Sequence, residues 1–302
     1  MLNLRKFLGL GSTAPPPPSS PPAYKPDEKE FTHLLAARLL FDAPPVLTLG
    51  GLESAIASVL PNSEVVQTGE HNFLALHRDH PITDADPRIA AQTLICLHDQ
   101  TISHDKFHAS LAQTFDLPEA SALLARSSHE LFIAEFMCRS LDPHNRIDLF
   151  HAVTSAVIAA TNPLIIHSHH ADRMVGPAAA ARPIPLKRDS YEMPLFFNVR
   201  MVRITNQGPG DLIMDTRGLA ELGLPDLQVH FRELPPSHIG AHLYNLASYI
   251  LTNGDCIEDG HTVQGLEPSQ KWTCQHEHSL LGPGRIVLDI NPGPAHAAGN
   301  RR

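Results

Sequence analysis

The chain is poor in cysteine: Cys96, Cys138, Cys256 and Cys274 are the four in 302 residues, and no two of them form a CxxC pair. That scarcity excludes a disulfide framework and fits a reducing compartment, so the expected localisation is cytoplasmic. Charge is also sparse, with 18% charged against 42% apolar residues, which excludes a charge-rich disordered chain. The longest apolar runs are too short to span a bilayer, so integral membrane insertion is not expected. Positive charge is the scarcer sign. Twenty-three Lys and Arg against 32 Asp and Glu give a formal charge of -9, which opposes the phosphate contacts that dominate nucleic-acid affinity and argues against a nucleic-acid partner. Missing too are the strand-glycine-lysine-helix context of a phosphate loop, a serine-centred elbow and a dinucleotide fingerprint.

Histidine and proline are what the chain has in quantity, 20 and 27 residues. Imidazoles titrate near pH 6 to 7, so a mildly acidic setting offsets much of the negative balance. The opening MLNLRKFLGLG forms no secretory apolar region, although Leu2, Leu4, Phe7, Leu8 and Leu10 share one surface of a short amphipathic segment that would touch a membrane weakly. Prolines then crowd Gly11 to Pro26, which favours extended polyproline II and makes residues 1–26 a flexible leader. A compact body is expected over 27–293, with an internal boundary in the Ala- and Pro-rich stretch 171–191 and a flexible tail over 294–302.

Within the body, Phe31, Leu34, Leu35 and Leu39 recur at helical spacing behind Asp27, predicting a helix over 27–41. Further helices are expected over 52–60, over 117–126, from Asp142-Pro143 to Asn162-Pro163, and from an N-cap at Ser237 to a stop at Gly254. Strands are expected over 73–76, 89–97, 129–137, 164–169, 227–231, 272–278 and 285–290, and a hairpin pairs 195–204 with 211–215 across QGPG. The fold class is α+β, a mainly antiparallel sheet covered by helices, and the strand-helix-strand order in each half allows two similar halves.

The last third is the most distinctive part. DTRGLAELGLPDLQVHF, LYNLASYILTNGD, EDGHT and the late RIVLDI cover most of Asp215 to Ile290. In these segments the chain resembles the domain of unknown function 4261 family, an uncharacterised bacterial family. The resemblance implies a compact bacterial α+β domain and transfers no catalytic residue.

Three groups of residues carry candidate chemistry. Asp255, Glu258, Asp259 and His261 place three carboxylates and an imidazole in one short loop, a set suited to a divalent ion or to proton transfer. The same loop reads as a turn at Asp259-Gly260, anchored by Ile257 and Val263, and it lacks the EF-hand offsets. His167, His169 and His170 end one strand and His276 and His278 share another, where residues two apart face one side and present two imidazoles to a transition metal. Asp172 and Glu277 are the carboxylates nearest in sequence, with Glu277 facing away from its neighbours in a regular strand. Ordinary solvated or hydrogen-bonded histidines are the competing reading. Cys274, two residues before His276, is a nucleophile candidate or a small buried side chain. Trp272 and Phe196-Phe197 suit either a recognition pocket or the core, and Tyr244 and Tyr249 are candidates for a partner surface on their helix.

The favoured expectation is a non-enzymatic binding or accessory module with an unidentified protein partner and no cofactor. An immunity or secretion role is the kind that fold-level analogy suggests. The alternative is a metal-dependent hydrolase using a divalent transition metal at Asp259, His261 or the histidine pairs.

Overall fold

The structure is a computed structural model that describes residues 33–82, 89–204 and 210–299. The leader at 1–26 and the first part of the helix expected from Asp27 lie outside those residues. The described chain divides into two compact units, one holding His33–Lys187 and Glu192–Asn198, the other Arg188–Tyr191 and residues from Val199 onward. The crossing thus falls between Lys187 and Val199, later than much of the expected boundary at 171–191.

In the first unit, Ala36–Phe41 is a strand, β1, and not the end of a helix over 27–41. Its neighbours explain the correction. β1 lies between β5 (His129–Phe136) and β6 (Ile165–Ser168), antiparallel to both, so AARLLF is buried except at the partly exposed Arg38, as suits a central strand. With β2 (Ser63–Gly69), β3 (Asn72–Ile82), β4 (Ile89–Leu97) and β7 (Arg173–Val175) the sheet has the order β2-β3-β4-β5-β1-β6-β7, with neighbouring strands antiparallel. One face, carrying Val65, Phe73, Ala75, Ile95 and Ile133, is buried beneath α1 (Leu49–Ala57) and the long helix Pro143–Thr161. That helix starts where its sequence says: Asp142 accepts a hydrogen bond from the backbone of His144 at 2.8 Å, Pro143 opens the first turn, and Asn162 closes it in a left-handed conformation. On the opposite face, a 3-10 turn at His104–Phe107, α2 (His108–Ala112) and α3 (Ala120–Arg126) pack Phe107, Ala120 and Leu124 onto Leu40, Ile165 and Met174. In chain order Pro143–Thr161 is α4 and Pro177–Ala180 is α5.

The second unit is a six-stranded sheet of order β11-β12-β13-β10-β9-β8, from β8 (Asn198–Arg203), β9 (Leu212–Arg217), β10 (Asp226–Phe231), β11 (Thr262–Gln264), β12 (Lys271–His278) and β13 (Ile286–Asn291). β10 and β13 run parallel, a pairing that needs a crossover, and α6 (Pro236–Asn253) supplies it. Ile239, Leu243, Leu246 and Ile250 repeat on one side of α6, are fully buried, and pack the helix over β9 and β10. Pro235 is the N-cap and Ser237 is already helical, correcting the expected cap, because Pro236 has the fixed φ that suits the first helical position. Gly254 ends the helix at φ 76°, where a side chain would be strained. This parallel pair and strand order have no counterpart in the first sheet, so the two halves share α+β construction without a common topology. The expected tail is also corrected in part: Ala297 bridges Phe231, Ala298 donates its N–H to the His230 carbonyl at 3.1 Å, and Ala298 is buried. Among the described residues no helix is long and apolar enough to cross a membrane.

Candidate functional site

The second unit buries an ionic lattice that its sequence motifs do not announce. DTRG puts Asp215, Thr216 and Arg217 at the end of β9, LPDLQ puts Asp226 and Gln228 on β10, and Arg285 and Asp289 flank or lie on β13. Asp215 accepts two hydrogen bonds from Arg200 of β8, at 3.0 and 2.6 Å, and one from Arg285 at 2.7 Å. Arg285 turns its Nε to Asp226 at 2.7 Å and its remaining N–H groups to the carbonyls of Thr216, Leu281 and Pro283. Asp226 also accepts from Thr216 Oγ1 and the Leu219 backbone, so the lattice is bonded across β8, β9, β10 and the approach to β13. Burial alone would lower the Arg285 pKa, and the carboxylates of Asp226 and Asp215 outweigh it, holding the guanidinium charged. Beside it, Glu221 binds Arg217 at 2.9 Å. Burial pushes the Glu221 carboxyl up to about 7, against the pull of Arg217 and with the repulsion of Asp226. These charges are enclosed and mutually bonded, an arrangement that fixes strand register more directly than it offers reactive groups to a substrate.

At the surface of the same unit, two candidates from separate stretches of sequence meet. His276 of β12 lies between the carboxylates of the Asp255–His261 loop, with Nδ1 2.8 Å from Asp259 and Nε2 3.1 Å from Asp255, while its backbone N–H donates to Asp259 at 2.7 Å. The hydrogen bond to Asp255 is the largest influence raising His276, to about 9, against a smaller effect of burial and with further help from Asp259. Burial works to raise Asp259, and the hydrogen bonds from His276 outweigh it, leaving that carboxyl below its usual range. The raised pKa favours the protonated ring at neutral pH, and a protonated imidazole between two carboxylates has no lone pair for a metal. The loop is otherwise a turn: Gly260 has φ 82° and donates to the Cys274 carbonyl, Cys274 donates to the His261 carbonyl, and Ile257 and Val263 are buried. His261 uses Nδ1 to accept the Glu258 backbone N–H at 3.1 Å. His278 is exposed, as is Glu277. Cys274 is fully buried and its thiol is pushed up to about 12, first by burial, the opposite of an activated thiolate.

This clamp has a pH signature. The folded pKa of His276 lies above its ordinary value of 6.5, so the stabilisation it gives is fully present below about 6.5 and is lost as pH rises through about 9. His276→Gln is expected to lower the melting temperature at pH 6 and to match the wild type above pH 9. A difference that stays constant across that range would show that the ring does not titrate in the clamp.

In the first unit, His167 and His169 meet edge to face with ring centroids 6.0 Å apart. His167 Nε2 lies 2.9 Å from Ser110 Oγ, whose own proton goes to Asp172 at 2.7 Å. Burial is the main cause pushing His167 down to about 3, and its neutral ring leaves Nδ1 buried without a partner. The serine stands between histidine and aspartate, so the aspartate does not orient the ring as in a catalytic triad. His170 is buried and bonded to the backbone of Ala36. Among the described residues no group of three or more His, Cys, Asp or Glu is arranged to hold a metal.

Of the aromatic candidates, Trp272 is buried edge to face against His242, and Phe196 and Phe197 are buried in the first unit, where Phe196 packs on Phe150. Tyr249 is buried on α6, whereas Tyr244 is partly exposed and meets the ring of Tyr191 at 5.3 Å. Sequence reasoning missed a larger apolar surface in the first unit. Strand register aligns Val66, Leu74 and Leu94 in one cross-strand row, Leu76 and Phe136 on either side of Gln92 in the next and Cys96 with Phe132 in a third, all on the face away from α1 and α4. The unit's own helices on that face sit over β1, β6 and β7, leaving these apolar residues half-buried or exposed, with Phe136 52% accessible. Arg38, stacked 4.8 Å from the Phe132 ring, and Lys106 both pair with Glu130 along its border. The signal was present as alternation in β3 and β5, but it specifies a two-sided strand without saying which side is covered.

Residues 215–291 match the family model described as Domain of unknown function (DUF4261), a span that runs from β9 to β13. Neither the curated proteins nor the solved structures contain a match to the chain.

Proposed function

We propose that this chain, with its DUF4261 match over residues 215–291, is a non-enzymatic bacterial binding or accessory module acting in the cytoplasm. The observation that carries the reading is the apolar sheet face of the first unit, where Phe136 and Val66 stand exposed and Leu74, Leu76, Leu94 and Phe132 are half-buried. Exposed apolar surface with a polar border is what a protein partner covers, and a large aromatic side chain such as Phe136 supplies much of the contact area. The groups with the best chemical credentials support the same reading, because His276 is committed to two carboxylates and Cys274 is buried. An immunity- or secretion-associated role is the biological setting proposed for such a module.

The convergence of Asp255, Asp259 and His276 favours the second reading, a metal-dependent hydrolase. For that activity a carboxylate must leave the ring, and the ring must lose a proton before it ligates a metal. The two readings separate in one experiment. Phe136→Asp is expected to keep the wild-type melting temperature, since the ring is half in solvent, and to weaken a stoichiometric partner by at least tenfold, about 1.4 kcal/mol. His276→Ala and Cys274→Ala, checked for folding, are expected to retain that partner. Metal-dependent turnover abolished by His276→Ala in a folded variant would replace the binding reading with the hydrolase.

A further inference from the structure

We propose that β2 is a self-pairing edge, through which two copies of this chain join their seven-stranded sheets antiparallel about a twofold axis at Val66. The strand stands last in its sheet with β3 as its one strand neighbour among the described residues, so one side of its backbone is available for pairing. Sheet edges of this kind are ordinarily guarded by lysine, proline or inward-facing charge. SEVVQTG has none of the first two, its one charge is Glu64, and Arg78 of β3 already engages that carboxylate at 2.6 Å. Guarding is left to an irregularity between Gln67 and Gly69, beyond the centre of the strand.

The occupant follows from the pattern of the strand itself. A partner strand must set an apolar side chain against Val66 and must keep negative charge away from Glu64. A second β2, placed antiparallel with Val66 on the axis, sets Val66 against Val66, Val65 against Gln67 and Glu64 against Thr68, so no like charges meet. Residues directly opposite in such a pair point to the same face. The row formed by Val66, Leu74 and Leu94 then runs on into its symmetry mate, while α1 stays on the other face in both copies. The contact is isologous and closes after two copies, as expected of a soluble dimer and not of a filament.

Sedimentation equilibrium of the full chain tests this directly. The wild type is expected to be a dimer, and Val66→Lys, which brings two ammonium groups together on the axis, is expected to weaken it at least a hundredfold while keeping the melting temperature of the monomer. Because Val66 is 38% exposed, lysine is accommodated in the isolated fold. A cross-link gives an independent reading: in a Cys256→Ser background, which removes the exposed native thiol, Val66→Cys is expected to oxidise to a covalent dimer faster than Leu186→Cys, another exposed position. A monomeric wild type, a dimer indifferent to Val66→Lys, or equal oxidation at the two cysteines overturns the proposal. Phe136 lies on β5, away from the β2 edge, so Phe136→Asp leaves this dimer intact, and self-association is measured on the chain alone with no partner present, so failure here and failure of the proposed function are told apart.

Discussion

Arg285→Met is expected to destabilise the second unit by about 3–5 kcal/mol, the usual cost of removing one member of a buried ionic cluster. Arg285 is enclosed and serves two carboxylates at once, Asp215 and Asp226, each fully buried. With the guanidinium gone, Arg200 still holds Asp215, but Asp226 keeps only the Thr216 hydroxyl and the Leu219 N–H, neither of which carries a charge. Lysine offers no rescue, because its single ammonium cannot spread over the two carboxylates and the three carbonyls that Arg285 reaches. Chemical denaturation measures the effect. As a control, Arg78→Met removes an exposed ion pair with Glu64 and should cost no more than about 1 kcal/mol. Equal losses in the two variants would mean that the lattice is not held by charge.

Leu246→Asp should prevent α6 from docking. Leu246 has no exposed surface and sits between Leu243 and Ile250 on the apolar side of α6, so a carboxylate there meets neither water nor a cation. Leu246→Ala, which leaves a cavity but no charge, should cost about 2–5 kcal/mol, and the aspartate more than that. Trp272 gives a direct readout because it is the single tryptophan of the chain, buried on β12 of the same sheet. Its fluorescence is expected to shift to the red in Leu246→Asp at a temperature where Leu246→Ala remains native. An unshifted, soluble Leu246→Asp protein would place Leu246 on the wrong side of the helix.

Sequence pattern was a good guide wherever a local rule decided the outcome. Asp142-Pro143 and Asn162-Pro163 bracket α4 because a side-chain cap, a proline in the first turn and a left-handed asparagine act within a few residues of one another. The 3.6-residue repeat from Ile239 to Ile250 located the buried side of α6, a mainly apolar run located β4, and alternation located β12. The stretch before Phe41 failed because AARLLF satisfies a helical repeat as readily as a strand, and its two strand neighbours come from residues about ninety to one hundred and thirty positions away. β2 and β11 escaped for a related reason: β2 is polar outside Val65 and Val66, β11 has three residues, and each pairs with a longer strand.

The candidate sites divide along the same line. Composition and residue order alone determined an α+β chain, the DUF4261 likeness of its last third, and a loop rich in carboxylates around Asp259. Tertiary structure decided that His276 lies between Asp255 and Asp259, that Asp215, Asp226, Arg200 and Arg285 form one buried lattice, and that the Phe136 side of the first sheet is exposed. The physical reason is range. Caps, turns and periodicity act over one or two turns of chain, whereas the charge state of an imidazole, the satisfaction of a buried guanidinium and the covering of a sheet face depend on neighbours that only folding brings within hydrogen-bond or van der Waals distance.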